Sequence, residues 1–484
     1  MIQSAHNGRA TRFWSAITQW LTLTFEGKKQ KSTIASLDGV RAIACLIVAA
    51  YHLSLITTND IPLWYPKHVP AFLDALAFAG DTGVTLFFVL SGFLLFLPYA
   101  KAFLFDAPWP SLRQFYLRRA LRILPAYYVT LFLMIIFSHP EYLHPDHLKQ
   151  LFLFLTLFMD SSASTFKQVN GPFWTLAVEW QFYLLLPLMA YGMRLIVRRG
   201  GQAWRVSSLA ICLLAIIAWG LLTRYIGLYV TAHPQTTFHL PPVVLKVFLF
   251  FFYGIPTSGL HGKFLEDFAI GMLVSSAYLL IRSYPAGSSL DVRIKKLSPW
   301  IFLGGLVWLY ILYLWKYDQR VPHTWLILDH VLQYYNSFSE LGFSIGFGLC
   351  VFGILLGPAM LKRVFEWRQL RWIGQLSFGL YMWHLLLLVT LSHILIQHLY
   401  YAGWTHKLLY SFYWIWLFVF ILPCMFLLFI AIEKPFMQLA ERFRGKGSTR
   451  SVTEADNVSH NNNQAPQNTP PATLVPQQAG EPLH

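Results

Sequence analysis

Two residues capable of acid, base or anion-binding chemistry lie in the first long apolar stretch of the sequence, residues 36–56. Arg41 and His52 are eleven positions apart in it. In an α-helix this spacing leaves them about 20° apart around the axis and roughly 16 Å apart along it. The two side chains therefore share one helix face, with the arginine near one end of the stretch and the histidine towards the other.

This pair suits a long ligand with an anionic head. A guanidinium binds phosphate, whereas a neutral imidazole can take up a proton or carry an acyl group near neutral pH. An acyl-CoA has the required shape. A structural interpretation is equally open, in which Arg41 reaches lipid phosphates and His52 hydrogen-bonds to a neighbouring helix.

A carboxylate lies in another apolar segment, residues 173–195. Glu179 is costly there, because a charge in the middle of a membrane helix costs at least about 2.5 to 3.5 kcal/mol. It either pairs with a cation such as Arg41 or His52, or it is protonated and donates a hydrogen bond. Both roles suit a reaction centre, although a structural clamp between helices is also possible.

Three further features have two interpretations each. The arginines of a basic cluster are spaced to hold phosphates, and membrane topology explains them as well. A serine–glycine pair lets a ligand or another helix approach closely, and helix packing is the simpler reading. A histidine in a late apolar run is most simply a hydrogen-bonded interior side chain. The basic cluster is Arg118, Arg119 and Arg122, the serine–glycine pair is Ser91 and Gly92, and the histidine is His384.

The composition places these residues in a membrane. Of the 484 residues 56% are hydrophobic and only 12% are charged, which leaves too few polar residues for a soluble surface of this size. The net charge of +15 comes from short basic clusters between apolar runs, which is typical of membrane topology and not of nucleic-acid binding. The four cysteines lie in apolar runs without paired spacing, so the sequence predicts neither a disulfide framework nor a metal site.

The apolar runs predict an all-α polytopic membrane protein with about ten transmembrane helices. Alternate connections are rich in arginine and lysine, which favours an even number of crossings with both termini in the cytoplasm. Two shorter apolar stretches, 148–160 and 245–256, are predicted to be re-entrant or interfacial. The ten predicted crossings are residues 36–56, 80–100, 120–138, 173–195, 206–228, 264–281, 299–316, 337–357, 372–396 and 409–431.

The sequence predicts three regions along the chain. Residues 1–35 should form a cytoplasmic segment with an amphipathic surface helix, since their apolar side chains share one helical face. Residues 36–436 hold the transmembrane domain. Residues 437–484 contain few apolar side chains and are expected to form a disordered cytoplasmic tail.

Six motifs in this order resemble the acyltransferase-3 family of integral membrane O-acyltransferases. The resemblance extends from Ser36 to Phe436, and six ordered motifs are far more specific than any one of them. Thr85 and Trp180 depart from the family, which often has Asp and Glu at these positions. The motifs are Leu37-Asp38-Gly39-Val40-Arg41 with His52, Phe87 to Phe93, Phe115 to Arg122, Trp174 to Tyr183, Ser377 to His384, and Glu433-Lys434-Pro435.

The resemblance implies an enzyme that moves an acyl group, acetyl by default, from acyl-CoA to a hydroxyl of a surface glycan or related acceptor in a bacterial cytoplasmic membrane. His52 would act as general base or transient acyl carrier, and Glu179 would orient His52 or balance Arg41. Arg41 and the basic cluster would hold the CoA phosphates, with Ser91 and Gly92 shaping the path of the acyl arm. No metal is expected. The motifs add five further candidates: Asp38, Trp174, Tyr183, Tyr381 and His384.

Some relatives in this family carry an extracellular hydrolase-like domain after the last crossing, and none is visible here. The acyl group would then pass directly to the acceptor or to an unlinked partner. The main alternative is a secondary transporter, because about ten crossings with interior charge also describe carriers. A membrane glycosyltransferase and a non-catalytic assembly protein are further alternatives, and the grouping of Arg41, His52 and Glu179 speaks against the latter.

Overall fold

The computed structural model describes residues 34–59, 71–233, 241–255 and 262–443, and in these ranges it contains helices and no strand. The predicted all-α class is therefore confirmed. The predicted surface helix within residues 1–35 and most of the predicted tail lie outside the described residues. The last helix extends to Arg442, so the first residues of the predicted tail are helical.

Long helices account for nearly all of the described chain. Several contain single π-helical turns, for example at Ser392–Ile396. The long helices are α1 (Ala35–Asn59), α2 (Gly83–Leu104), α3 (Leu112–Ser138), α4 (Phe173–Val197), α5 (Gln202–Ala232), α6 (Leu265–Arg282), α7 (Ser289–Arg320), α8 (Tyr335–Leu356), α9 (Arg368–Tyr401) and α10 (His406–Arg442).

All of these helices except α6 are apolar and long enough to cross a membrane, which makes nine such helices within the described residues. Helix α6 has 18 residues and carries Glu266, Asp267 and Arg282. It nevertheless lies inside the bundle, where it packs against α2, α5 and α8. The membrane-protein class holds, and α6 as a tenth crossing stays a prediction.

Close backbone contacts hold the helices that carry the candidate site. Helix α2 packs on α6, and α1 packs on α9. A Cβ atom added to Gly92 would overlap the carbonyl of Phe268, and one added to Gly374 would overlap the carbonyl of Asp38. Helices in lipid associate mainly through van der Waals packing, because lipid supplies no hydrophobic driving force between them. Small residues such as these glycines allow the backbones to approach closely. These contacts fix α2 against α6 and α1 against α9.

The two shorter apolar stretches form helices too short to cross a bilayer. One contains the helix Leu148–Leu155, and the other contains the apolar helical segment Pro242–Tyr253. The hydroxyl of Ser161 donates a hydrogen bond to the carbonyl of Phe250 at 2.8 Å. The two segments are thus joined to each other beside α4.

Candidate active site

A cavity of about 100 Å³ lies among helices α1, α2, α3, α4 and α9. A cavity that holds a single water has a volume of roughly 10 to 15 Å³, so this cavity has room for a small polar group. Its wall combines apolar side chains with an unusual number of polar ones for the interior of a membrane protein. The polar lining residues are Arg41, Ser91, Arg119, Arg122, Thr175, Glu179, Tyr183, Ser377 and Tyr381.

Three arginines from two helices face this cavity. Arg41 comes from α1, and Arg119 and Arg122 come from successive turns of α3. The side chain of Asp38 forms an ion pair with Arg41 at 3.7 Å, and this carboxylate also lies 3.9 Å from Arg371. Asp38 therefore helps to hold Arg41, while the three guanidinium groups create a site suited to anions.

The predicted basic cluster divides in the structure. Arg119 and Arg122 line the cavity, and the guanidinium of Arg119 also lies 5.8 Å from the centre of the Tyr183 ring. Arg118 is not among the lining residues, because the next position on a helix is rotated by about 100°. Nothing in the sequence pattern separated Arg118 from the other two arginines.

Glu179 is held by two hydroxyl groups. Ser91 on α2 and Tyr183 on α4 both donate hydrogen bonds to Oε1 of Glu179. The carboxylate lines the same cavity as Arg41, Arg119 and Arg122. It therefore lies in the field of three cations, which offsets part of the cost of placing it in the bundle interior.

The serine–glycine pair of α2 serves two purposes. Ser91 faces the cavity and holds Glu179. Gly92, one position on, faces α6, where a Cβ atom would overlap the carbonyl of Phe268. The packing interpretation describes the position of Gly92, and the predicted role of Ser91 in the path of the acyl arm stays a prediction.

His52 contacts a residue from the other end of the sequence. Its Nδ1 lies 2.8 Å from Nε2 of His384, and Nδ1 of His384 lies 2.9 Å from the carbonyl oxygen of Leu380. The sequence had assigned Glu179 to orient His52 or to balance Arg41. In the structure the hydrogen-bonding side chain beside His52 is His384, while Glu179 is bonded to Ser91 and Tyr183.

Tyr381 lies between the cavity and the two histidines. It lines the cavity, and its ring centre is 5.9 Å from that of His384. Its hydroxyl is 2.8 Å from the hydroxyl of Thr175, a cavity residue for which the sequence predicted no role. His52 itself is not part of the cavity lining. The cavity and the histidine pair are thus adjacent, with Tyr381 in contact with both.

The start of α4 is attached directly to α9 at this point. The side chain of Asn170 donates a hydrogen bond to the carbonyl of Met382 at 2.8 Å. Trp174, another predicted candidate, turns away from the cavity, and its ring packs 5.6 Å from that of Phe264. Trp174 therefore packs the start of α4 against the residue that precedes α6, and its predicted role in the reaction stays a prediction.

The model of the family described as an acyltransferase domain matches residues 34–434 of this chain. The chain belongs to this acyltransferase family. The resemblance that the six motifs indicated is confirmed. The cavity described above lies wholly within the matched part of this acyltransferase.

Relatives of this acyltransferase include proteins named as peptidoglycan O-acetyltransferases. It is 25% identical over 373 residues to the peptidoglycan O-acetyltransferase OatA of Listeria monocytogenes, covering 72% of this chain and 49% of that protein. It is 26% identical over 366 residues to YrhL of Bacillus subtilis, named as a candidate peptidoglycan O-acetyltransferase, covering 72% of this chain and 48% of that protein. This acyltransferase thus spans about half the length of these relatives. No solved structure matches it.

A second buried polar cluster in this acyltransferase was missed by the sequence reasoning. Arg224 on α5 and Glu266 on α6 form an ion pair in which both side chains are 1% exposed. Asp267 is fully buried beside them. Thr85, one of the family departures, donates a hydrogen bond to Oε2 of Glu340 at 3.1 Å. The available signal was a set of charged residues inside the predicted crossings 206–228, 264–281 and 337–357.

Neither polar cluster resembles a metal centre. Among the residues that the structure describes, no group of three or more histidine, cysteine, aspartate or glutamate side chains is arranged to hold a metal ion. The side chains of the cavity offer three guanidinium groups for an anion, and the adjacent histidine pair offers an imidazole for a proton or an acyl group.

Proposed function

We propose that this chain is a membrane O-acyltransferase that moves an acyl group, normally acetyl, from cytoplasmic acyl-CoA to a hydroxyl of a cell-surface glycan. The observation that carries the proposal is the arginine-lined cavity whose wall includes Tyr381, a residue in contact with the His52–His384 pair. Arginines in the cavity wall and an imidazole beside the cavity suit a donor with a phosphate-bearing head and a reactive thioester. Family membership supports the same reaction class.

In the proposed reaction, His52 removes the proton from the acceptor hydroxyl. The acceptor oxygen bonds to the acyl carbon, the carbon–sulfur bond breaks, and the proton passes from His52 to the departing sulfur to give free CoA. A two-step route with the acyl group carried briefly on His52 uses the same residues. Arg41, Arg119 and Arg122 hold the phosphates of the donor.

The proposal also covers the acceptor and the orientation of the chain in the membrane. Peptidoglycan is the first acceptor to test, because two relatives are named for it. The connections rich in arginine and lysine support an orientation in which both termini lie in the cytoplasm, and the proposed membrane is the bacterial cytoplasmic membrane. The donor would enter near Arg41, and the acceptor would approach from the opposite side of the membrane.

The proposal is tested with the full chain, purified and reconstituted in lipid. We expect release of free CoA from acetyl-CoA that depends on added glycan, with the acetyl label recovered as an ester on that glycan. Peptidoglycan fragments, lipid-linked glycans and capsular polysaccharide are tried in parallel. Binding of acetyl-CoA without transfer to any acceptor would contradict the enzyme assignment. Movement of an intact solute across the vesicle membrane would favour the transporter.

The arginines predict a selective loss of donor binding. Arg119→Gln and Arg122→Gln each remove a cation from the cavity, whereas Arg118→Gln removes one from the same helix outside the lining. A hydrogen bond to a charged group contributes about 1.5 to 3 kcal/mol, so each cavity variant should weaken acetyl-CoA binding by roughly 10- to 100-fold. Arg118→Gln should change it by less than about 3-fold. Calorimetric titration with acetyl-CoA measures both effects. Unchanged binding in all three variants would show that topology alone explains the cluster, and equal losses in all three would contradict the separation of Arg118 from the cavity arginines.

A further inference from the structure

The buried histidine on α9 has a hydrogen-bonding arrangement that fixes where its proton lies. His384 is 0% exposed, and its Nδ1 is 2.9 Å from the carbonyl oxygen of Leu380. A carbonyl oxygen only accepts hydrogen bonds, so Nδ1 of His384 must carry the hydrogen. A site sealed from water favours the neutral ring. In a neutral ring with its hydrogen on Nδ1, Nε2 has no hydrogen and acts as a hydrogen-bond acceptor.

The same reasoning extends to the second ring. Nε2 of His384 lies 2.8 Å from Nδ1 of His52. If Nε2 of His384 is the acceptor, Nδ1 of His52 must donate. A neutral His52 then has its lone pair on Nε2. The chain of hydrogen bonds from His52 through His384 to Leu380 thus leaves one ring nitrogen of His52 able to react.

We propose that His384 is a positioning residue that holds His52 in the tautomer with a bare Nε2, and that this atom accepts the proton or the acyl group. This inference rests on the function proposed above. It also identifies one atom for both versions of the reaction, since base catalysis and a transient acyl carrier each need that lone pair. His384 is fully buried and does not line the cavity, so the part we assign to it is to orient the imidazole of His52, as the aspartate does in a serine protease triad.

Two substitutions separate positioning from packing. In His384→Gln the side-chain amide offers one donor and one acceptor, as neutral imidazole does, so it can accept from His52. His384→Leu removes the acceptor and keeps an apolar side chain of similar bulk. Because the donor cavity is lined by other residues, we expect both variants to keep the KM for acetyl-CoA. We expect kcat to fall by about 100-fold or more in His384→Leu and by less than about 10-fold in His384→Gln.

A direct measurement keeps the inference independent of activity and of the stability of the variants. NMR of isotopically labelled histidine nitrogens in the wild-type protein, with His52 assigned by its substitution, should show the hydrogen of His52 on Nδ1. A hydrogen on Nε2 of His52 would overturn the inference, as would equal losses of kcat in the two folded His384 variants. If the tautomer is found but no acceptor is ever acetylated, the proposed function fails and the proton arrangement stands.

Discussion

Replacing His52 with alanine is expected to lower acyl transfer by about 10²- to 10⁴-fold, the range that positioned proton transfer contributes in enzymes. The variant loses the imidazole that is bonded to His384 at 2.8 Å. It keeps every polar residue of the cavity, including the three arginines. Binding of acetyl-CoA should therefore be unchanged while turnover is lost, measured as glycan-dependent release of CoA together with a binding titration.

The matched control is another histidine on the same long helix as His384. His393 is exposed on α9, and His393→Ala should retain full activity. Retention of transfer in a folded His52→Ala protein would contradict the role of His52 in the reaction. Loss of transfer together with loss of donor binding would point instead to a damaged bundle.

Replacing Arg224 with methionine is expected to destabilise the fold by about 3 to 5 kcal/mol, because it leaves the carboxylate of Glu266 buried without its partner. Both side chains are 1% exposed. A Cβ atom on Gly220 would collide with this carboxylate, so the backbone of α5 also lies against it. Since folded proteins are stable by only about 5 to 15 kcal/mol, the loss should appear as a large drop in unfolding temperature in detergent.

A second substitution that removes the carboxylate of Glu266 should recover much of the lost stability. Replacing both members of a buried ion pair by apolar residues of similar size is often nearly neutral, so Arg224→Met with Glu266→Met should unfold close to the wild type. Lys295→Met is the exposed control: this lysine pairs with Asp291 at 2.8 Å, its side chain is 52% exposed, and its loss should cost at most about 1 kcal/mol. A double variant as unstable as Arg224→Met alone would show that the pair is not what stabilises α5 against α6.

The class of the protein followed from the sequence because lipid imposes a simple rule. A spanning segment must satisfy its own backbone hydrogen bonds, so repeated long apolar runs predict helices. The predicted crossings correspond to the long helices of the structure. One of them, α6, carries three charged residues and is not among the nine apolar helices. The ordered motifs added the family, which a matching family model confirms.

Part of the candidate site was also accessible from the sequence. Arg41 and Glu179 were expected to face a common interior, and both line the cavity. The roles of Thr175 and of the buried pair Arg224–Glu266 were not expected. The buried pair could have been found by treating every charge within a predicted crossing as a functional or structural site, which the cost of burying it justifies.

By itself the sequence determined the membrane helices, the family, and the alignment of Arg41 with His52 on one face, because helix periodicity depends only on spacing along the chain. Only the tertiary structure decided which residues meet. His52 and His384 are 332 positions apart, and they meet because α1 packs on α9, with Gly374 against the backbone of Asp38. Local periodicity shows which face of a helix is buried, whereas the partner on that face depends on the packing of helices distant in sequence.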